Sequence, residues 1–185
     1  MPDLLENCIH LELQAKRIYE ALAHRFSDRP PVRMFFETLV QQEQEHSELL
    51  ELCREVAGRE GWGDEPFAPW RDAIPELEQQ LDSVERSLAD LDSVREALRL
   101  VLQVESSEIN QIFESVVVAT DSDFVRHLEP FQAAGAKHIS YIQDRIPQLE
   151  SGLAAECEVL STAQRQPDRV GPPARSTGRR PRAVR

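Results

Sequence analysis

The sequence predicts an all-α protein, an antiparallel four-helix bundle with a long helical crossover between its second and third helices. Glycine is scarce, with only 7 in 185 residues, whereas leucine, glutamate, glutamine, alanine and arginine, all good helix formers, are abundant. Hydrophobic residues make up 41% of the chain, which is enough for one buried core. Several long segments also space their apolar residues three and four apart, which lines one face of a helix.

The first two bundle helices are predicted to form a hairpin. The first covers residues 3–26 and the second covers residues 31–57. Pro31 is compatible with the first turn of a helix, and Gly58 favours an end to the second one. Because only a short turn separates the two segments, we expect antiparallel neighbours.

The last two bundle helices are predicted to form a second hairpin. The third covers residues 94–119, with Ser93 as its N-cap and Glu96 as the partner in a capping box. The fourth covers residues 123–146 and is predicted to end at Pro147. A long connection between two tight hairpins is one of the known topologies of four-helix bundles.

The remaining segments complete the predicted organisation. Residues 1–150 are expected to form the bundle, within which residues 58–92 are the crossover and carry an amphipathic helix. A short extra helix is predicted over residues 151–163. Residues 164–185 are rich in arginine and proline, and we expect a disordered basic tail there.

Polar side chains interrupt the apolar seam of every bundle helix near its midpoint. A charged side chain on such a seam costs several kcal/mol unless it is paired or bound to a metal. On the second helix the seam positions, spaced three and four apart, are Phe36, Leu39, Glu43, His46, Leu50 and Cys53. The polar seam residues of the four helices together are Glu12, Glu43, His46, Glu105, Glu108 and His138.

These polar residues are expected to converge on one point in the core, because the midpoints of antiparallel helices lie at one level. Carboxylates with neutral imidazoles suit iron or manganese. A glutamate and a histidine three residues apart, such as Glu43 and His46, can both reach one metal pair. The sequence therefore predicts a metal site inside the bundle, whereas the other interpretation of the same residues is a satisfied polar network without metal.

The joint order of these motifs resembles the ferritin-like diiron carboxylate superfamily, and the rubrerythrin-like branch in particular. The resemblance covers roughly residues 3–146 and includes the Glu43-x-x-His46 motif. Two details point to that branch: Glu105 and Glu108 stand three residues apart, and Tyr19 follows Glu12 by seven residues on the same face. The resemblance implies the ferritin-like fold.

The resemblance also implies a function. It implies a cytosolic non-haem protein that binds two iron ions, or manganese. Such a protein reduces peroxide, or oxidises ferrous iron with peroxide or O₂. One ion would be held by Glu12, Glu43 and His46. The other would be held by Glu105, Glu108 and His138, with Tyr19 beside the site. A separate electron-donor protein is implied as a partner, because no Cys-x-x-Cys motif offers a rubredoxin-like iron site. A homodimer or higher homo-oligomer is implied as well.

The fourth helix departs from the family pattern. The family has Glu-x-x-His there, whereas this chain has Gly135 in the place of the glutamate that would bridge the metals. The pair should then be weaker or hold a single ion, unless Glu108, water or an exogenous acid fills the gap. The alternative function is a metal-binding or metal-free structural or interaction bundle without turnover. An oxygenase of the same fold ranks last, because the sequence identifies no substrate pocket.

Composition excludes several other classes. The formal net charge of −12 argues against nucleic-acid binding by the body of the protein. Neither a signal peptide nor a membrane-spanning segment is expected from the sequence. The three widely separated cysteines favour reduced, buried thiols in a cytoplasmic protein.

Overall fold

The structure is a computed structural model that describes residues 2–60, 71, 73–106 and 129–164. Its six α-helices in this part of the chain are α1 (Pro2–Arg25), α2 (Pro30–Glu60), α3 (Ala73–Ser87), α4 (Val94–Glu105), α5 (Glu129–Leu149) and α6 (Ala154–Gln164). The described residues contain no strand, so the predicted all-α, ferritin-like class is confirmed. No helix among them is both long and apolar enough to cross a membrane.

Helices α1 and α2 form the first hairpin through a short turn over residues 26–29. Phe26 and Phe36 stack across the turn, with ring centroids 6.1 Å apart, and Phe35 packs edge-on against Phe36 at 5.3 Å. The predicted end of the second helix near Gly58 is wrong, because α2 continues to Glu60. A lone glycine lowers helix stability by only about 1 kcal/mol, which the packing of a long helix can offset.

Helix α3 lies in the crossover and packs on α1. Its apolar face is buried, and the residues on that face are Ile74, Leu77, Leu81 and Val84. The Gln14 side chain of α1 donates a hydrogen bond to Asp82 of α3 at 2.7 Å. This contact fixes the crossover against the outer side of the first hairpin.

Helix α4 begins at the predicted capping box. The backbone N–H of Glu96 donates to the Ser93 hydroxyl at 3.2 Å, and the Glu96 carboxylate accepts from the Ser93 N–H at 3.0 Å. Arg25, at the end of α1, donates to the carbonyl of Leu91, just before α4. Because the end of one helix meets the start of the other, α1 and α4 run antiparallel.

Helix α5 completes the bundle against α2. The rings of Phe35 and Tyr141 stack with centroids 5.8 Å apart and an interplanar angle of 15°. The predicted end of this helix at Pro147 is wrong, because α5 runs to Leu149. The Glu150 N–H donates to the Ile146 carbonyl at 2.8 Å, so helical hydrogen bonding resumes after the proline.

Helix α6 packs against the bundle beyond α5. Arg99 of α4 forms a 2.9 Å ion pair with Glu156 of α6. Leu153, Cys157 and Leu160 contribute buried side chains beneath it. The predicted basic tail beyond residue 164 lies outside the described residues, as does the predicted second half of the third bundle helix.

Candidate metal centre

Five ionisable side chains from all four bundle helices meet in the protein core. Each is no more than 6% exposed, although each carries a group that prefers water when charged. They are Glu12 from α1, Glu43 and His46 from α2, Glu105 from α4 and His138 from α5. Four of them lie near the middle of their helices, as the sequence predicted, whereas Glu105 is the last residue of α4 as the structure describes it.

Three of these side chains form the first candidate ligand group. Glu12, Glu43 and His46 each offer a ligand atom, and these atoms lie within 4.8 Å of one another. The Nδ1 atom of His46 lies 3.5 Å from Oε2 of Glu12 and 3.3 Å from Oε2 of Glu43. One cation could therefore be reached by two carboxylates and one imidazole.

The second candidate ligand group shares Glu43 with the first. It consists of Glu43, Glu105 and His138, whose ligand atoms also lie within 4.8 Å of one another. The Nε2 atom of His138 lies 2.8 Å from Oε2 of Glu105 and 3.4 Å from Oε1 of Glu43. Glu43 thus directs one carboxylate oxygen toward each histidine. A carboxylate that lies between two metal ions is arranged in the same way.

Two neighbouring side chains orient this second group. The Tyr19 hydroxyl donates a hydrogen bond to Oε1 of Glu105, so the other oxygen of that carboxylate remains directed at His138. Oε1 of Gln42 lies 3.0 Å from Nδ1 of His138. An amide oxygen accepts from a protonated Nδ1, so this contact keeps a proton on Nδ1 and leaves Nε2 as the ring nitrogen that faces the carboxylates.

The surroundings shift the pKa values of the two carboxyl groups in the first ligand group in opposite directions. Burial in the apolar core, together with the neighbouring Glu43 charge, raises the pKa of Glu12 to about 8. Burial would also raise the pKa of Glu43, but the two imidazoles, His138 foremost, lower it to about 2. Without metal the site therefore keeps Glu43 ionised and holds a proton on Glu12 at neutral pH.

The histidines and the tyrosine keep their protons in the metal-free protein. Burial opposes the charged form of His46, yet its contacts with Glu12 and Glu43 raise its pKa well above the usual value. Burial likewise opposes charge on His138, but Glu105 and Glu43 raise its pKa. Burial and the Glu105 charge raise the pKa of Tyr19, so its phenol remains a hydrogen-bond donor.

The donor set fits a pair of metal ions better than it fits an apolar core. Oε2 of Glu12 is fully buried and accepts no hydrogen bond, an expensive state unless a cation occupies the site. Three carboxylates and two imidazoles are the ligands that iron and manganese prefer. Cys8 belongs to neither ligand group, and burial together with the neighbouring Glu12 raises the pKa of its thiol to about 12.

The structure brings together five of the six predicted ligands. The sixth, Glu108, lies outside the described residues. Gly135 is buried in α5 one turn before His138 and offers no ligand atom. Sequence reasoning missed Gln42, because a glutamine beside a helical seam has the same pattern as the many solvent-exposed glutamines of this chain.

A sequence model of the rubrerythrin family matches residues 3–124. The chain belongs to the rubrerythrin family. The matched stretch carries Glu12, Glu43, His46 and Glu105, and it ends before α5, which carries Gly135 and His138. No curated protein and no solved structure gave a match. Gly135, where this rubrerythrin-family chain lacks a glutamate, therefore lies beyond the matched residues.

We expect the stability of the metal-free protein to fall as the pH rises from about 6 to about 8. A pKa raised in the folded state, as for Glu12, His46 and His138, gives stability that is lost as the pH rises through the folded value. The lowered pKa of Glu43 gives stability that is lost only as the pH falls toward about 2. Denaturant unfolding of metal-free protein across this range measures the effect.

Metal ions should compete with these protons. Binding of Mn²⁺ at pH 7 should therefore release protons, and its affinity should rise with pH. Isothermal titration calorimetry in buffers of different ionisation enthalpy counts the protons. A pH-independent affinity without proton release would show that Glu12 and the two histidines do not hold the metal.

We expect Gln42 to matter through its contact with His138. Gln42→Leu should lower metal affinity by roughly 10- to 100-fold, the usual effect of losing a partner that orients a metal-bound histidine. Gln42→Glu keeps an acceptor and should retain the affinity. The matched control is Gln44→Leu, because Gln44 bonds to the exposed Glu48 at 2.8 Å, away from the ligands. Equal Mn²⁺ affinities for Gln42→Leu and Gln44→Leu would refute this role.

Proposed function

We propose that this rubrerythrin-family protein binds two iron ions and reduces peroxide or oxidises ferrous iron. The observation that carries the proposal is the pair of buried ligand groups that share Glu43. Two adjacent sites joined by one carboxylate match a dinuclear centre, because two cations neutralise carboxylates that are costly to bury alone. Manganese in the same site is the alternative metal.

Each side chain has a distinct role in this proposal. Glu12 and His46 would hold one ion, Glu105 and His138 would hold the other, and Glu43 would lie between them. Glu108 remains a predicted further ligand of the second ion. A reduced iron pair supplies two electrons, which is the number that cleaves the O–O bond of one peroxide molecule.

The protein's own residues would set the conditions for that chemistry. Tyr19 and Gln42 fix the orientations of Glu105 and His138, and all five ligand side chains are buried. At neutral pH, Glu12 and the histidines hold protons when metal is absent. Those groups are therefore suited to exchange protons as the charge at the site changes.

The proposal includes partners and a compartment. We expect a separate electron-donor protein to re-reduce the iron, and a homodimer or larger homo-oligomer as the assembly. A cytoplasmic location is supported by the three cysteines, which are buried and form no disulfide. Size-exclusion chromatography with light scattering tests the assembly directly.

Anaerobic titration tests the reaction. Protein loaded with ferrous iron should consume about one hydrogen peroxide per two iron ions oxidised, while ferric absorption grows in the near ultraviolet. His138→Gln, which keeps a similar volume but loses the imidazole, should react far more slowly. Oxidation at the rate of free ferrous iron in buffer would contradict the proposal.

The second candidate function is a metal-free or metal-holding bundle without turnover. Gly135 favours it, because a bridging carboxylate is missing from α5. The ion pairs of His138 with Glu105 and of His46 with Glu43 also compensate part of the buried charge without metal. A protein that folds normally but binds no iron would support this second candidate.

A further inference from the structure

A cavity of about 440 Å³ lies between α2 and α5, directly beside the candidate metal centre. Its volume falls within the range of about 300–1,000 Å³ that pockets for small organic ligands occupy. The residues that line the cavity become more buried from its outer end to its inner end. The residues run from exposed Glu45, Glu48 and Lys137, through half-buried Gln42, Leu49, Leu52 and Ala134, to buried His46.

The inner end of the cavity belongs to the metal centre. His46 is a member of the first ligand group, and Gln42 contacts the Nδ1 atom of His138. Ala134 and Lys137 are the immediate neighbours in sequence of Gly135 and His138. The cavity therefore reaches the level of the bundle at which a carboxylate is missing from α5.

The ligands that the structure describes leave the site one negative charge short when two divalent ions are bound. Two divalent ions bring four positive charges, whereas Glu12, Glu43 and Glu105 bring three negative ones. A side chain at position 135 would share a helix face with His138, because residues three apart are neighbours on a helix. An external carboxylate that enters through the cavity could supply the same charge and the same two oxygens.

The rest of the lining selects the kind of acid. Leu49, Leu52 and Ala134 offer an apolar surface to a short hydrocarbon chain. Lys137 has no ion-pair partner among the described residues and can attract one carboxylate. Glu45 and Glu48 at the same rim oppose a second negative charge. A monocarboxylic acid fits this lining, and a dicarboxylic acid does not.

We propose that the cavity between α2 and α5 binds a small monocarboxylic acid whose carboxylate completes the loaded metal centre in place of the glutamate absent at Gly135. The inference rests on the proposed function, since it requires bound metal. Metal binds first and the acid second, because the bound cations supply the positive charge that attracts the acid's carboxylate. By linkage the acid then raises the metal affinity by the same factor as metal raises the acid affinity.

The test measures Mn²⁺ affinity with and without acid, so no turnover is needed. Saturating hexanoate should raise the Mn²⁺ affinity at least about 10-fold, and it should do so more strongly than acetate, hexan-1-ol or adipate. Electron paramagnetic resonance should show a changed Mn²⁺ spectrum when hexanoate is added. Equal effects of hexanoate and hexan-1-ol, or no effect at all, would overturn the inference.

Variants locate the acid. Gly135→Glu should abolish the hexanoate effect, because its own carboxylate fills the position, whereas Gly135→Ala should keep it. Lys137→Met should reduce the hexanoate effect several-fold, and Lys16→Met, on α1 and paired with Glu20, should not. An undiminished hexanoate effect in Gly135→Glu would overturn the inference.

The two proposals fail in different ways. A parent protein that binds about two Mn²⁺ ions but ignores hexanoate refutes the acid site and leaves the dinuclear centre standing. A folded parent that binds no Mn²⁺ or iron refutes the dinuclear centre, and the acid site with it.

Discussion

The Glu43→Gln variant should lose both metal ions together. Glu43 is the one residue that the two ligand groups share, with Oε2 3.3 Å from His46 and Oε1 3.4 Å from His138. Even residues that only orient metal ligands contribute 10- to 100-fold to affinity, so loss of a shared ligand should cost at least about 100-fold. Elemental analysis and Mn²⁺ titration measure the loss.

A matched variant separates this effect from a general change of charge. Glu45 lies two residues further along α2 and is exposed, so Glu45→Gln makes the same chemical change outside the ligand groups. It should bind metal like the parent. If Glu43→Gln folds normally by circular dichroism and keeps the parent's metal content, Glu43 does not bridge the two groups.

Gly135→Glu should give the largest gain in metal affinity of any single substitution on α5. The new carboxylate would lie one helical turn from His138 and could bind both ions. In the metal-free protein the same group adds a buried acid near Glu43 and Glu105. We therefore expect a lower free energy of unfolding without metal and a higher one with it.

The control for this variant is Gly135→Ala. Both substitutions replace glycine in a helix, a change worth about 0.5–1 kcal/mol to the helix itself. The difference between them then reports the carboxylate together with the one methylene group that extends the side chain. Should Gly135→Glu bind no more iron or manganese than Gly135→Ala, the explanation based on a missing bridging ligand is wrong.

The helical periodicity of the sequence predicted much of the fold because it reports burial directly. The charged residues on apolar seams could be found for the same reason: Glu12, Glu43 and His138 stand where leucine or isoleucine would otherwise pack. The capping box of Ser93 and Glu96 was predicted from local hydrogen bonding alone, and the structure confirms it. Such local rules need no knowledge of neighbouring helices.

Contacts between helices account for what the sequence did not reveal. The role of Gln42 depends on α5 placing His138 3.0 Å away, and no pattern within α2 encodes that distance. The cavity beside His46 arises from how two helices are spaced, which periodicity does not determine. Helix α2 continues past Gly58 to Glu60 and helix α5 continues past Pro147 to Leu149, so the local rules for glycine and proline placed both ends too early.

Metal content per chain tests the central claim most directly. Protein produced with iron and manganese supplied should be analysed for bound metal, with circular dichroism to confirm the fold. We predict about two ions per chain, held by the two groups that share Glu43. A folded protein that contains no iron or manganese would contradict the dinuclear centre and favour a metal-free structural bundle.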